Sequence, residues 1–239
     1  MPQMKPKICF VGLKCYNLIA ARHDIGIIGG AEVQQLLMAR WFVAHGYDVS
    51  FVTFDHGQKA VETIDGLRIV KAYKPEAGFP IIRFFSRWLA LNFAMRKVDA
   101  DVYYQRGAAA ETGQVGLWCR YQRKKFVFGL ASEMDCAAKS FLMTNFRERY
   151  LYLLGLKLAD IVIAQTKQQQ DLLELNHSKA SHILRNSGAM EEVSDSWPNR
   201  ENREILWIGR ISPEKRFEWL LDLAERCGYL KFVVVGAGN

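Results

Sequence analysis

The chain has 239 residues, half of them hydrophobic and 24% charged, with 32 Lys and Arg against 25 Asp and Glu for a formal net charge of +7. These values exclude a disordered or fibrous chain, and no run approaches the roughly 20 apolar residues of a membrane span. The positive charge admits nucleic acid, an anionic membrane surface or an anionic small substrate as partner, and the lack of a basic tail or nucleic-acid motif argues against the first.

Taken in chain order, strands and helices alternate. A strand is predicted over Lys7–Gly12, then a long loop Lys14–Ile28 containing Arg22, His23 and Asp24, then a helix Ala31–His45 stopped by Gly46. Length in such a connection suggests function or mobility. A strand follows over Asp48–Phe54, and Ile64–Tyr73 holds an Asp65-Gly66 turn between two short extended pieces. Pro80–Lys97, Ala108–Arg123, Phe141–Leu158 and Gln168–Leu175 are predicted helices, interleaved with strands at Asp101–Gln105, Lys125–Leu130, Asp160–Gln165 and Ser181–Leu184. Strands separated by helices of this length form a doubly wound, mostly parallel α/β sheet of Rossmann-like type, whose ligands gather at the carboxyl ends of the strands. Met1–Lys7 is basic and Ile8–Leu13 too short for a signal core. Five cysteines, odd in number and without metal-ligand spacing, are expected as free, mostly buried thiols in a reducing cytoplasm.

Residues 187–203 are polar, contain Pro198 and read as a linker between a first domain, 1–186, and a second unit, 204–239. In that unit Ile205–Ile208 is a strand ending on Gly209-Arg210. Ser212 is a candidate N-cap, Pro213 a candidate first helical residue, and the helix runs to Cys227 before Gly228. Leu230–Val235 is a second buried strand opening onto Gly236-Ala237-Gly238. Arg210 and Lys215 then sit beside a helix amino end, where unpaired N–H groups and the helix dipole make a phosphate site; the bland reading is a pair of solvated charges. Two strands and one helix are too short to bury a sheet, so this unit is expected to be the opening of a larger domain.

Gly209-Arg210 with Lys215-Arg216, followed by Val235-Gly236-Ala237-Gly238, resembles the second domain of family-4 glycosyltransferases, retaining enzymes built from two Rossmann-like domains, the GT-B arrangement. Ile8–Gly12 with Gly29-Gly30-Ala31-Glu32 is similar to that family's first strand, glycine loop and first helix. Ala159–Thr166, with Ile183-Leu184-Arg185-Asn186, is similar to its last strands of the first domain. The resemblance implies transfer of a sugar, with retention, from a nucleotide-diphosphate sugar to a glycan or lipid-linked acceptor. It implies Arg210 and Lys215 as the catalytic pair that neutralises the leaving diphosphate. Gly29, Gly30, Gly209 and Gly236 would lie at the donor, with Arg106, Glu133 and Asp135 at the acceptor, and no metal or cofactor is needed. The leaving phosphate itself would take the acceptor's proton. The family's acidic donor motif would lie beyond Asn239, so the chain by itself is expected to be inactive.

Alternatives accompany these assignments. Asp99-Ala100-Asp101 matches the Asp-x-Asp metal motif but precedes a strand, at the amino edge of the sheet away from the chemistry. Gly29 and Gly30 are read as needing backbone freedom beneath a ligand, or as a plain turn. Glu133 and Asp135 orient acceptor hydroxyls or cap the next helix; the stretch Leu130–Asp135 lacks the histidine common in the family. The helix over Ile81–Lys97, apolar at positions 81, 84, 85, 88, 91 and 95 and basic at Arg83, Arg87 and Arg96, packs on the sheet or touches an anionic membrane from the cytoplasmic side. A non-catalytic anion- or glycan-binding Rossmann-like domain is the competing function. An NAD-dependent enzyme fits less well, since Gly29-Gly30-Ala31 is not Gly-x-Gly-x-x-Gly and Asp55 is the single acidic residue near the second strand's end.

Overall fold

Long apolar runs flanked by glycine and charged residues become strands buried on both faces. The computed structural model describes residues 5–22, 29–76, 82–137, 145–188, 204–209, 211–212 and 215–236. The chain divides into two compact units, Met1–Ala189 and Met190–Asn239.

In the first unit, β1 (Ile8–Val11), β2 (Val49–Thr53), β3 (Val61–Ile64), β4 (Leu67–Lys71), β5 (Val102–Arg106), β6 (Lys125–Gly129), β7 (Ile161–Ala164) and β8 (His182–Ile183) form one sheet in the order β3-β4-β2-β1-β5-β6-β7-β8. All neighbours are parallel except β3 and β4, which form an antiparallel hairpin closed by Asp65 at φ 50° and Gly66 at φ 76°. Two successive positive φ values are what a tight hairpin of right-handed twist requires, and Asp-Gly supplies them cheaply. β1 and β2 are buried throughout. The helices are α1 (Tyr16–Ile19), α2 (Gly30–Ala44), α3 (Arg83–Val98), α4 (Ala110–Gln122), α5 (Phe146–Leu158) and α6 (Lys167–His177), with a 3-10 turn at Glu133–Cys136. The doubly wound Rossmann-like α/β sheet expected from the alternation is thus present. The loop expected over Lys14–Ile28 contains the single-turn α1, which is too short to leave a periodic signature.

Alternation along the strands builds two cores. Ile8 and Phe10 pack with Phe51, Tyr104 and Leu36 of α2, while Cys9 and Val11 face Leu91 and Met95 of α3, Val115 and Trp118 of α4, and Tyr152 of α5. α4 and α5 meet backbone to backbone. A Cβ at Gly113 would overlap the Leu151 carbonyl, and one at Gly155 would overlap the Thr112 carbonyl group. Gly is therefore required there for space.

The second unit pairs β9 (Glu204–Ile208) in parallel with β10 (Lys231–Val235), joined through α7 (Phe217–Arg226). Trp207 packs edge-on against Phe217 at 5.0 Å between ring centroids. Gly209 N–H donates to the Val235 carbonyl at 3.0 Å, and a Cβ at Gly236 would overlap the Gly209 carbonyl oxygen, so these two glycines let the strand ends close on each other. The expected helix start is corrected. Ser212 does not cap α7; its carbonyl accepts from Lys215 N–H at 2.9 Å, closing a turn upstream. Arg216 takes the N-cap at φ 50° with its guanidinium 5.5 Å from the Trp219 ring centroid, and Pro213 lies outside the described residues.

Candidate functional site

The carboxyl ends of β1 and β5 splay apart in the first unit because the chain leaves them toward opposite faces of the sheet, β1 for α2 and β5 for α4. The gap is a cleft of about 260 Å³ lined by Gly12–Cys15, the first turns of α2, Phe54, Gln105–Ala109 and Glu111. Gly12 lets the chain turn immediately after β1: a Cβ there would stand 2.6 Å from Cys15 Sγ and 3.1 Å from Gln35 Oε1. Opposite, Gly107 at φ 82° turns the chain out of β5.

Among the described residues the charges of the cleft balance, with Lys14 and Arg106 against Glu32 and Glu111. Two amides set its character. Gln35 on α2 is 4% exposed and Gln105 at the end of β5 is 5% exposed, and the Oε1 atom of each has no hydrogen-bond partner among the described residues. The Gln105 orientation follows from its neighbours: Nε2 donates to the carbonyls of Arg106 at 3.1 Å and Gly107 at 2.8 Å, which leaves Oε1 as the unpaired end. Gln35 Nε2 makes one long contact, 3.4 Å, to the Ala31 carbonyl. Buried acceptors without donors are rare, because each forfeits about 1–3 kcal/mol. Glu111, in the first turn of α4, accepts from Tyr73 Oη at 3.3 Å, and burial together with the Glu111 charge pushes the Tyr73 phenol well above its ordinary value.

Arg106 forms the wall between this cleft and a smaller one over β6 and β7. Its Nη2 donates to Asn186 Oδ1 at 2.8 Å. Asn186 Nδ2 in turn donates to Gln165 Oε1 at 2.8 Å, and Gln165 Nε2 to the Leu130 carbonyl at 2.7 Å. The segment after β8 is also tied to α2, with Gln34 Nε2 donating to the Ser187 carbonyl at 2.6 Å and Ser187 N–H to Gln34 Oε1 at 3.0 Å. A chain of amides thus fixes a guanidinium whose Nε is buried and unpaired.

The profile of the family described as Glycosyltransferase Family 4 matches residues 28–186, from the start of α2 through Arg106 to Asn186. The chain belongs to glycosyltransferase family 4. No curated protein matches it significantly. Among solved structures, MurG of Acinetobacter baumannii is similar at 14% identity and a TM-score of 0.52, over 97% of this chain and 58% of that one. The MnaA–UDP structure from S. aureus is 14% identical, with a TM-score of 0.54 over 98% and 62%. The UDP-GlcNAc 2-epimerase of Neisseria meningitidis bound to UDP-GlcNAc is 13% identical, with a TM-score of 0.54 over 95% and 64%. At these identities the likeness is one of fold, and this family-4 chain spans about 60% of the length of each. Together with the family match it establishes the GT-B type expected from the sequence.

Of the residues expected to serve this family-4 protein, the structure places Arg106 in the cleft and Gly29 and Gly30 at the amino end of α2. The expectation that these glycines need backbone freedom is corrected: Gly29 has φ −93° and Gly30 is helical, both ordinary for any residue. The surroundings of the two positions differ. A Cβ at Gly29 would collide with the Glu32 carboxylate, and none of the described atoms lies within 4 Å of a Cβ at Gly30. Asp135 is also corrected. It is 2% exposed, and its carboxylate accepts from Ala131 N–H at 2.7 Å and Ser132 N–H at 3.3 Å, so it caps its own turn and does not face an acceptor. Burial outweighs these hydrogen bonds and raises its pKa, and a further bond from the Ala108 backbone ties the turn to the cleft wall. Glu133 is exposed at the start of the same turn. Asp99 is paired with Lys124 at 2.9 Å and Asp101 accepts from Lys7 N–H at 2.8 Å, which spends both carboxylates of the Asp-x-Asp stretch on structure. In the second unit Lys215 stands two residues ahead of α7, while Arg210 lies outside the described residues. Gln35, Gln105 and Asn186 were missed as site residues. Gln35 and Gln105 carry a faint signal, uncharged amides at positions where the helix and strand patterns call for burial.

Proposed function

We propose that the protein transfers a sugar from a nucleotide-diphosphate sugar, with retention and without a metal, to a glycan or lipid-linked acceptor seated in the cleft of the first unit. The observation that carries the acceptor assignment is the pair of orphan carbonyl oxygens on Gln35 and Gln105 in a charge-balanced cleft: they call for a ligand rich in hydroxyl donors and free of net charge, which is what a sugar acceptor is. Family membership supports the transfer, and retention is what that membership implies. Arg106 orients an acceptor hydroxyl. Arg210 and Lys215 neutralise the charge that grows on the diphosphate, and the phosphate oxygen freed by bond cleavage takes the acceptor proton, so no protein nucleophile enters. Open space over Gly30 suits a ligand approaching the amino end of α2. Four buried free thiols, Cys9, Cys15, Cys119 and Cys136, support a reducing compartment such as the cytoplasm. Among the described residues of the second unit, α7 buries none of its side chains.

The test is product analysis with the protein, a panel of UDP- and GDP-sugars, and simple glycosides as acceptors, in the presence of EDTA. Expected are product anomers matching the donor's configuration and a fall of about 10²- to 10³-fold in kcat for Lys215→Ala. Inverted product, or activity abolished by EDTA, overturns the mechanism; binding of glycosides with no transfer from any donor favours the non-catalytic reading.

A further inference from the structure

A helix lying on a sheet needs one apolar side, yet α3 has two. Its inner side buries Leu91, Ala94, Met95 and Val98. Its outer side carries Ile82, Phe85, Leu89 and Phe93, between 56% and 68% exposed and spaced three or four residues apart, so they form one stripe along solvent. The sequence pattern put Phe85 with the inward set; the structure turns it outward. Beside the stripe, an apolar groove between α3 and α4 is lined by Phe85, Trp88, Leu89, Leu117, Trp118 and Tyr121, with Tyr121 exposed at its rim. Contiguous apolar surface of this kind marks an interaction site.

Charge selects the partner. α3 contains Arg83, Arg87, Arg96 and Lys97 and no acidic residue, and Arg120 and Arg123 stand exposed at the end of α4. Of the nearby carboxylates, Asp99 is paired with Lys124, while Asp101 keeps its charge and accepts from the Lys7 N–H. We infer that this face docks on an anionic lipid bilayer, with α3 lying flat in the interface, its stripe among the acyl chains and the exposed Arg83, Arg96 and Lys97 at the phosphates. At 16 residues α3 offers about 24 Å of contact. Its first turns also reach the cleft wall, since the Arg87 guanidinium lies 5.7 Å over the Tyr73 ring and Tyr73 bonds Glu111. Resting on the proposed transfer, the docking deepens it: the acceptor is a lipid-linked sugar presented from the membrane surface.

Flotation of the chain with vesicles of phosphatidylcholine alone, and of phosphatidylcholine with one third phosphatidylglycerol, tests this. The chain is expected to float with the anionic vesicles only. The Phe85→Ser, Leu89→Ser, Phe93→Ser combination should lower partitioning at least about tenfold, and Arg96→Gln with Lys97→Gln about fivefold per charge. All of these positions face outward, so circular dichroism and melting should match the parent chain. Failure to float with anionic vesicles, equal flotation with neutral ones, or partitioning insensitive to the stripe overturns the docking. So does a dimer in light scattering that the stripe variant dissociates while vesicles recruit nothing. Transfer to a soluble glycoside without vesicles reads the proposed function separately, so either conclusion can fail alone.

Discussion

Replacing Gln35 by leucine should move stability and binding in opposite directions. The side chain is 4% exposed, its Nε2 contact to Ala31 is at the outer limit of a hydrogen bond at 3.4 Å, and its Oε1 is unpaired. Leucine is close in volume and at least as good in a helix. It gives up a bond worth at most about 0.5 kcal/mol and removes an unsatisfied acceptor that costs about 1–3 kcal/mol, a net gain of about 1.5 kcal/mol. For a chain of this size that raises Tm by roughly 3–6 °C. The same change deletes one hydrogen bond to a bound hydroxyl, about 0.5–1.5 kcal/mol, so affinity for neutral methyl glycosides should fall about three- to tenfold. Melting by circular dichroism and ligand-observed NMR titration read the two effects on one sample. A lower Tm with unchanged glycoside binding would refute the reasoning, because it would mean that the amide serves the core and not a ligand.

Other expectations follow from the same geometry. Gly155→Ala should lower stability by about 2 kcal/mol or more, since its Cβ meets the Thr112 backbone, whereas Gly116→Ala, whose Cβ would lie 3.2 Å from Leu158 Cβ, should be near neutral after the helix-propensity gain; urea titrations compare them. Burial lowers the His177 imidazole below its ordinary 6.5, so the unfolded chain takes up the proton first. The stability this reflects is complete above about 6.5 and is lost as pH falls from there through the folded value, and His177→Gln should flatten that slope in melts between about pH 8 and pH 5. Arg106→Lys keeps the charge but loses the fork that reaches Asn186, and should weaken glycoside binding about tenfold with little change in Tm.

Much of the fold was legible because its signals are local. β1 is an unbroken apolar run, β2 is rich in β-branched and aromatic residues, and Asp65-Gly66 closes a hairpin by its own torsional preference. What escaped depends on side-chain geometry and burial that residue types alone do not reveal. Ser212-Pro213 has the chemistry of a helix start, but α7 begins at Phe217 with Arg216 as its N-cap. Asp135 reads equally as ligand or cap until the Ala131 and Ser132 amides are seen pointing at it. Gln35 and Gln105 were passed over, because only the packed sheet shows that one end of each buried amide has been left unanswered. The outward turn of Phe85 was likewise invisible to a periodic reading that fitted it to the inner side of α3.

The glycine crossing of α4 and α5 has a kinetic consequence. α4 carries Glu111 at the cleft. From α5, Tyr152 Oη donates to the Asp135 carbonyl at 2.6 Å, and Asp135 holds the Ala131 amide. With the two backbones interlocked at Gly113 and Gly155, the loops on either side of Gly107 and Leu130 are mounted on one rigid pair, so a ligand entering the cleft has little to put in order. Association should therefore run close to the encounter rate, and a change in affinity from a substitution in the cleft should appear in how long the ligand stays.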